Sequence, residues 1–130
     1  MTTLKTLTYQ RLIVKLGTST LTCGQPKISL PHVIDLVRQV SQSHSEGRQI
    51  LLVSSGAIAA GKEELDFPEL PKFIPAKQML SAVGQPRLMS LYSQIFQMYG
   101  KIVAQILLTR ADLSDRRRYL NARNTLEALL

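Results

Sequence analysis

Three short apolar runs recur along the chain, and the apolar positions between them fall mostly at helical spacing. Arg11-Leu12-Ile13-Val14-Lys15-Leu16 is nearly continuous and β-branched, the pattern of a strand buried on both faces. Residues 49–54 and Ile102-Val103-Ala104-Gln105-Ile106-Leu107-Leu108 repeat it, which predicts a second and a third strand. Between the first two, residues 17–30 read as an irregular connection. A helix then starts near Pro31, whose fixed φ suits a first turn, with Ser29 or Leu30 before it. Val33, Val37 and Val40 fall on one face, Ile34 and Leu36 flank them, and Gly47 is a stop signal. His32 and His44 sit at opposite ends of this helix and cannot share a metal.

The second strand runs into Ser54-Ser55-Gly56-Ala57-Ile58-Ala59-Ala60-Gly61, which predicts a helix of small residues. Residues 62–75, with Pro68, Pro71 and Pro75, read as a loop of the kind that covers a site or an interface. Two helical pieces follow up to Tyr99, broken at Gly84-Gln85-Pro86. The second carries a core stripe of Leu88, Leu91, Ile95 and Met98. After the third strand, Ser114 or Asp115 can cap a closing helix with Leu120, Leu126, Leu129 and Leu130 inward. Residues 1–10, polar and Thr-rich, read as a lead-in. The order β-α-β-α-α-β-α predicts an α/β fold in which helices cover both faces of a mainly parallel sheet.

Ligands of such sheets bind beyond the carboxyl ends of the strands. Lys15, Gly17, Ser19, Ser55, Gly56 and Ala57 all fall there. Loop amides and helix N-termini at these ends favour an anion, and a lysine can carry its ammonium to the same edge. Each residue also has a structural reading. Lys15 can reach solvent along its apolar stem, and the glycines and alanines can serve close packing. Two such loops on successive strands favour the anion site, although neither a Walker A pattern nor GxGxxG is present.

Composition narrows the classes. Apolar residues are 45% and charged residues 19% of the 130, which suits a globular domain with a real core. The net charge of +7 leaves nucleic acid, a membrane surface or anionic small molecules open. Much of the excess sits in one cluster, Arg116-Arg117-Arg118 with Arg123, and Trp is absent, so base-stacking platforms are scarce. Nucleic acid is therefore not expected as the main partner. The single Cys23 cannot form an internal disulfide, and neither histidine is placed to activate it. No apolar run approaches the roughly 18 residues of a membrane span and no signal-peptide pattern is visible. These features lead us to expect a cytoplasmic protein that inserts in no membrane.

Val14-Lys15-Leu16-Gly17-Thr18-Ser19 followed by Ser54-Ser55-Gly56-Ala57-Ile58-Ala59-Ala60-Gly61 resembles the amino acid kinase family. Pro68-Glu69-Leu70-Pro71, Lys77-Gln78-Met79-Leu80-Ser81-Ala82-Val83-Gly84-Gln85, Leu107-Leu108-Thr109-Arg110-Ala111-Asp112-Leu113 and Tyr119-Leu120-Asn121-Ala122-Arg123-Asn124-Thr125 are similar to its members that phosphorylate the γ-carboxylate of L-glutamate. The similarity runs from about Leu12 to the last residue. It implies a three-layer α-β-α sandwich and ATP-dependent formation of glutamyl 5-phosphate, the first step of proline biosynthesis. It assigns Lys15 to catalysis and to the transferring phosphoryl group. Gly17, Thr18 and Ser19 would contact phosphate, and Ser55, Gly56 and Ala57 would hold glutamate. ATP and Mg²⁺ would be required, and members usually form homo-oligomers.

The nucleotide-binding half of that family has no counterpart in these residues, and no metal ligand is assigned. Residues 1–130 are thus expected to be the N-terminal, glutamate-side part of a kinase domain, inactive alone. The reading from another class is a non-catalytic module that binds an anion or associates with itself.

Overall fold

The computed structural model describes residues 9–72 and 74–130. Of the Thr-rich lead-in, residues 1–8 lie outside the described residues. Strands β1 (Arg11–Leu16) and β2 (Gln49–Ser54) pair in parallel, with Lys15 opposite Val53 and Leu16 opposite Ser54. Helices α1 (Thr18–Thr22) and α2 (Leu30–Ser45) connect them. Helices α3 (Ala57–Glu64), α4 (Ile74–Met98), α5 (Arg110–Ser114) and α6 (Arg116–Leu129) follow. The described chain is thus a mixed α/β unit around a two-stranded parallel sheet.

Helix α4 organises the core. Ala76, Leu80, Gly84, Leu88, Tyr92 and Phe96 are all buried, every fourth residue along one row. Such a row forms a ridge that packs into a facing groove. Leu88, Tyr92, Ile95 and Phe96 join Leu16, Leu21, Val33, Val37 and Ala60 in one cluster, and Val14 and Leu52 bring the sheet to it. Fully burying such side chains stabilises by about 1.5–3 kcal/mol each. On α2, Val33 and Val37 are buried as the spacing predicts, and Ser41 continues their row. Pro31 stands in the first turn after Ser29, and Gly47 follows the helix with φ of 92°.

Several expectations give way to this packing. The helix does not break at Gly84-Gln85-Pro86: α4 is continuous through Pro86. Pro86 lies on the exposed side, where solvent can hydrate the carbonyl left without its donor, while the buried row packs on both sides of it. Gly84 is a contact residue and not a breaker. A Cβ there would collide with the Ala57 carbonyl oxygen and the Gly61 amide, and one at Gly61 would collide with the Leu80 carbonyl. Met98, expected in the stripe, is 76% exposed: it is the last residue of α4 and, two positions past Phe96, points away from the buried row. Residues 17–30 are not wholly irregular, since Gly17 starts the short α1. Helix α3 extends to Glu64, which shortens the loop read at 62–75.

The strands also differ from expectation. Burial along β1 alternates: Leu12, Val14 and Leu16 face the helices, while Ile13 is 69% exposed. Among the described residues helices cover one face of the sheet, and the face carrying Ile13, Lys15 and Val53 is open. The apolar run at 102–108 pairs with no strand among the described residues. Val103 touches the core, but Ile102 is 99% exposed. A β-rich segment without a neighbouring strand has no ladder to join, whatever its intrinsic preference.

Helices α5 and α6 end the chain. Asp115 caps α6, its carboxylate accepting from the Arg118 amide at 2.9 Å. No residue of α6 is buried, so the expected inward set is at best half-covered, and Leu129 is 54% exposed. The end of the chain touches the near end of the sheet, through the Arg11 guanidinium to Glu127 at 2.9 Å and the Gln49 side-chain amide (Nε2) to the Leu130 carbonyl at 3.2 Å. Thr109 and Asp112 form a reciprocal capping box at the start of α5. The Thr109 hydroxyl and amide both donate to the Asp112 carboxylate at 2.6 Å, which holds its pKa below the ordinary 3.8. The cap therefore contributes fully above that value and is lost as pH falls below it. Amide protection at α5, taken relative to the intrinsic exchange rate at each pH, is expected to fall under those acid conditions and to be flat around neutrality.

Candidate functional site

The parallel register sets the ends of β1 and β2 side by side. The Ser55 amide donates to the Leu16 carbonyl at 2.8 Å, extending the ladder one residue past β2. The chain then leaves each strand through a small-residue turn. From β1 it passes Gly17 into α1, where the Leu21 amide donates back to the Gly17 carbonyl at 3.1 Å. From β2 it passes Gly56 into α3, where the Ala60 amide donates to the Gly56 carbonyl at 2.9 Å. The two turns meet: Thr18 Oγ1 and Ser55 Oγ are 3.1 Å apart and share a hydrogen bond.

Glycine at 56 is a local necessity. Its φ of +106° is one that L side chains rarely adopt, and a Cβ there would stand 2.9 Å from Leu21 Cδ1. The turn thereby brings the backbone against α1 and starts α3 with its amides toward the strand end. The N-terminal amides of an eight-residue helix lack intrahelical partners and attract negative charge.

Lys15 lies on the open face of the sheet and is exposed. No carboxylate among the described residues pairs with it, so its ammonium is available to an anion. Thr18 and Ser19 are exposed at the same edge, while Gly17 and Ala57 are half-buried and Gly56 is buried. The strand ends thus collect the seven residues that sequence reading singled out, and Thr18 and Ser55 are in direct contact. Among the described residues no group of three His, Cys, Asp or Glu converges into a metal-ligand set. A groove of about 530 Å³ lies elsewhere, between Leu30, Glu63, Arg87 and Gln94, and none of the strand-end residues lines it.

One participant escaped sequence reading. Tyr92, in the buried row of α4, places its hydroxyl 2.7 Å from Ser54 Oγ. Ser54 Oγ is also 2.8 Å from the Ser55 carbonyl oxygen. Burial pushes the Tyr92 pKa up, and the Ser54 hydrogen bond partly opposes it. A tyrosine at a core position, where Phe96 one turn on carries no hydroxyl, was the available signal, since a buried phenol needs a partner.

The sequence model of the amino acid kinase family matches residues 10–130, and the chain belongs to that family. It is 56% identical over 121 residues to proteins named glutamate 5-kinase from Yersinia enterocolitica serotype O:8 / biotype 1B, Yersinia pestis strain Pestoides F and Yersinia pseudotuberculosis serotype O:1b. Each match covers 93% of this chain and 33% of the relative. The chain therefore spans about a third of the length of the curated relatives it matches. No helix among the described residues is long and apolar enough to cross a membrane.

Proposed function

We propose that the chain is the glutamate-side, N-terminal part of a glutamate 5-kinase, which transfers the γ-phosphoryl group of ATP to the γ-carboxylate of L-glutamate. The observation that carries this reading is the junction of the two strand-end turns through Thr18 and Ser55, in a chain 56% identical to proteins of that name. The product is glutamyl 5-phosphate, and the pathway is proline biosynthesis in the cytoplasm. In the longer protein the sheet continues into a three-layer α-β-α sandwich, which covers the open face at Ile13 and Val53. That protein works as a homo-oligomer, and the 130-residue chain alone is inactive.

The chemistry asks little covalent work of the protein. A carboxylate oxygen forms the new bond to phosphorus as the bond to the bridging oxygen breaks and ADP leaves. Positioning and charge neutralisation do the rest. Lys15 neutralises charge spread over the phosphoryl oxygens. Gly17, Thr18 and Ser19 contact phosphate. Ser55 donates its hydroxyl to glutamate, and Gly56 and Ala57 bring α3 amides close to it. Mg²⁺ accompanies ATP in such transfers. The described strand ends offer it no carboxylate set, so phosphate oxygens would be its ligands here.

Ser55→Ala tests the assignment in the full gene product. A hydrogen bond to a charged group is worth about 1.5–3 kcal/mol, or roughly 10- to 100-fold in affinity. KM for L-glutamate is expected to rise by that factor while KM for ATP holds. An unchanged glutamate KM would remove Ser55 from the substrate site.

A second reading draws on the exposed apolar face, with Ile13 at 69% and Val53 at 52%. In it the chain associates with itself and does no chemistry. A concentration-dependent mass for the 130-residue chain, with no turnover by any longer product, would favour it.

A further inference from the structure

We propose that Tyr92 is a positioning residue that fixes the Ser55–Gly56 peptide through Ser54; the proposal rests on the reading of this turn as the glutamate site. Tyr92 is 4% exposed, packed in the core with Leu88, Ile95 and Phe96. A phenylalanine would fill nearly the same space without needing a partner for a buried hydroxyl. The hydroxyl instead meets Ser54 Oγ at 2.7 Å.

The hydrogens give the chain of bonds a direction. Ser54 has one hydroxyl hydrogen, and the Ser55 carbonyl oxygen, 2.8 Å away, can only accept. Ser54 therefore donates to Ser55, and Tyr92 donates to Ser54. Every hydroxyl hydrogen of the relay is used once.

The relay acts on a peptide whose carbonyl takes no other hydrogen bond among the described residues. Gly56 tolerates many backbone conformations, so sterics alone do not fix the plane between Ser55 and Gly56. A trans peptide keeps its carbonyl and its N–H on opposite sides, and no peptide among the described residues is cis. Tying the Ser55 carbonyl to the Ser54 hydroxyl thus turns the Gly56 N–H the other way. That N–H has no acceptor among the described residues and is available to a ligand at the turn. Ser55 is then held at three points: its amide on Leu16, its carbonyl on Ser54 and its hydroxyl on Thr18.

The test uses the full gene product with Tyr92→Phe, Ser54→Ala, Ser54→Thr and the Tyr92→Phe/Ser54→Ala double variant. Tyr92→Phe is expected to raise KM for L-glutamate roughly fivefold, the worth of one neutral hydrogen bond, with KM for ATP and Tm unchanged. Ser54→Ala should do at least as much, and Ser54→Thr, which keeps the hydroxyl, should restore the wild-type value. The double variant should match Ser54→Ala, because both changes cut one relay. An unchanged glutamate KM in Tyr92→Phe overturns the proposal, as does an equal rise of both KM values with a lowered Tm. If the wild type does not phosphorylate glutamate, the substrate reading fails separately. Amide exchange at Ser55 then decides the relay: quickening of roughly fivefold in Tyr92→Phe supports it, and unchanged exchange overturns it.

Discussion

Lys15→Met is expected to lower kcat for phosphoryl transfer by roughly 10³-fold in the full gene product, with Tm unchanged. Methionine keeps most of the unbranched stem and removes only the ammonium. The size follows from what preorganised positive charge contributes at a phosphoryl group, where loss of one such group costs roughly 10³-fold or more. The absence of a stability effect follows from the structure. Lys15 is exposed on the open face of the sheet, pairs with no carboxylate among the described residues and supports no buried group. Initial-rate measurement of ADP release, beside a thermal melt, separates the two effects. A kcat within tenfold of wild type would make Lys15 a solvated surface residue, and the charge at the strand ends would have to come from elsewhere.

Gly84→Ala is expected to be the most damaging single-methyl change in the chain, at about 3–5 kcal/mol. The added Cβ meets backbone, the Ala57 carbonyl and the Gly61 amide, and backbone cannot rotate aside as a side-chain tip can. Relief requires α3 and α4 to move apart, and that opens the row from Leu80 to Leu88. Ala57 starts α3 beside the strand-end turn, so the same movement displaces the proposed glutamate site. The thermal midpoint should fall sharply, while Ser93→Ala on the exposed side of α4 should stay within about 0.5 kcal/mol. A Gly84→Ala protein as stable as wild type would mean that α3 and α4 are not in backbone contact.

The same glycine shows where sequence reading reached its limit. Gly84 beside Pro86 is a local signal for a helix break, and local signals cannot report that α3 passes within backbone distance. The buried row at every fourth residue overrode them. The small residues at 57–61 were legible as a close approach, but that their partner is α4 was not. The apolar runs at 11–16 and 49–54 were legible as strands because each has the other to pair with. The run at 102–108 has the same composition and no partner strand among the described residues, so pattern alone misassigned it. Burial on both faces was inferred from apolar content, yet Ile13 and Val53 face no described helix. At the strand ends the legible part was larger. Lys15, Gly17, Ser19, Ser55, Gly56 and Ala57 could be placed there from the order of elements, and Thr18 from the family resemblance. The Thr18–Ser55 bond and the Tyr92 relay depend on the register and on the rotation of α4, which no spacing encodes.

The proposed role of these paired strand ends is phosphoryl transfer to L-glutamate. Its most direct test is ADP release by the full gene product and by the 130-residue chain, each with ATP, Mg²⁺ and L-glutamate, with hydroxylamine present to trap an acyl phosphate as the hydroxamate. Glutamate-dependent ADP release by the full product, a matching yield of γ-glutamyl hydroxamate and no turnover by the 130-residue chain are the predicted result. Absence of glutamate-dependent turnover by the full product would contradict the account.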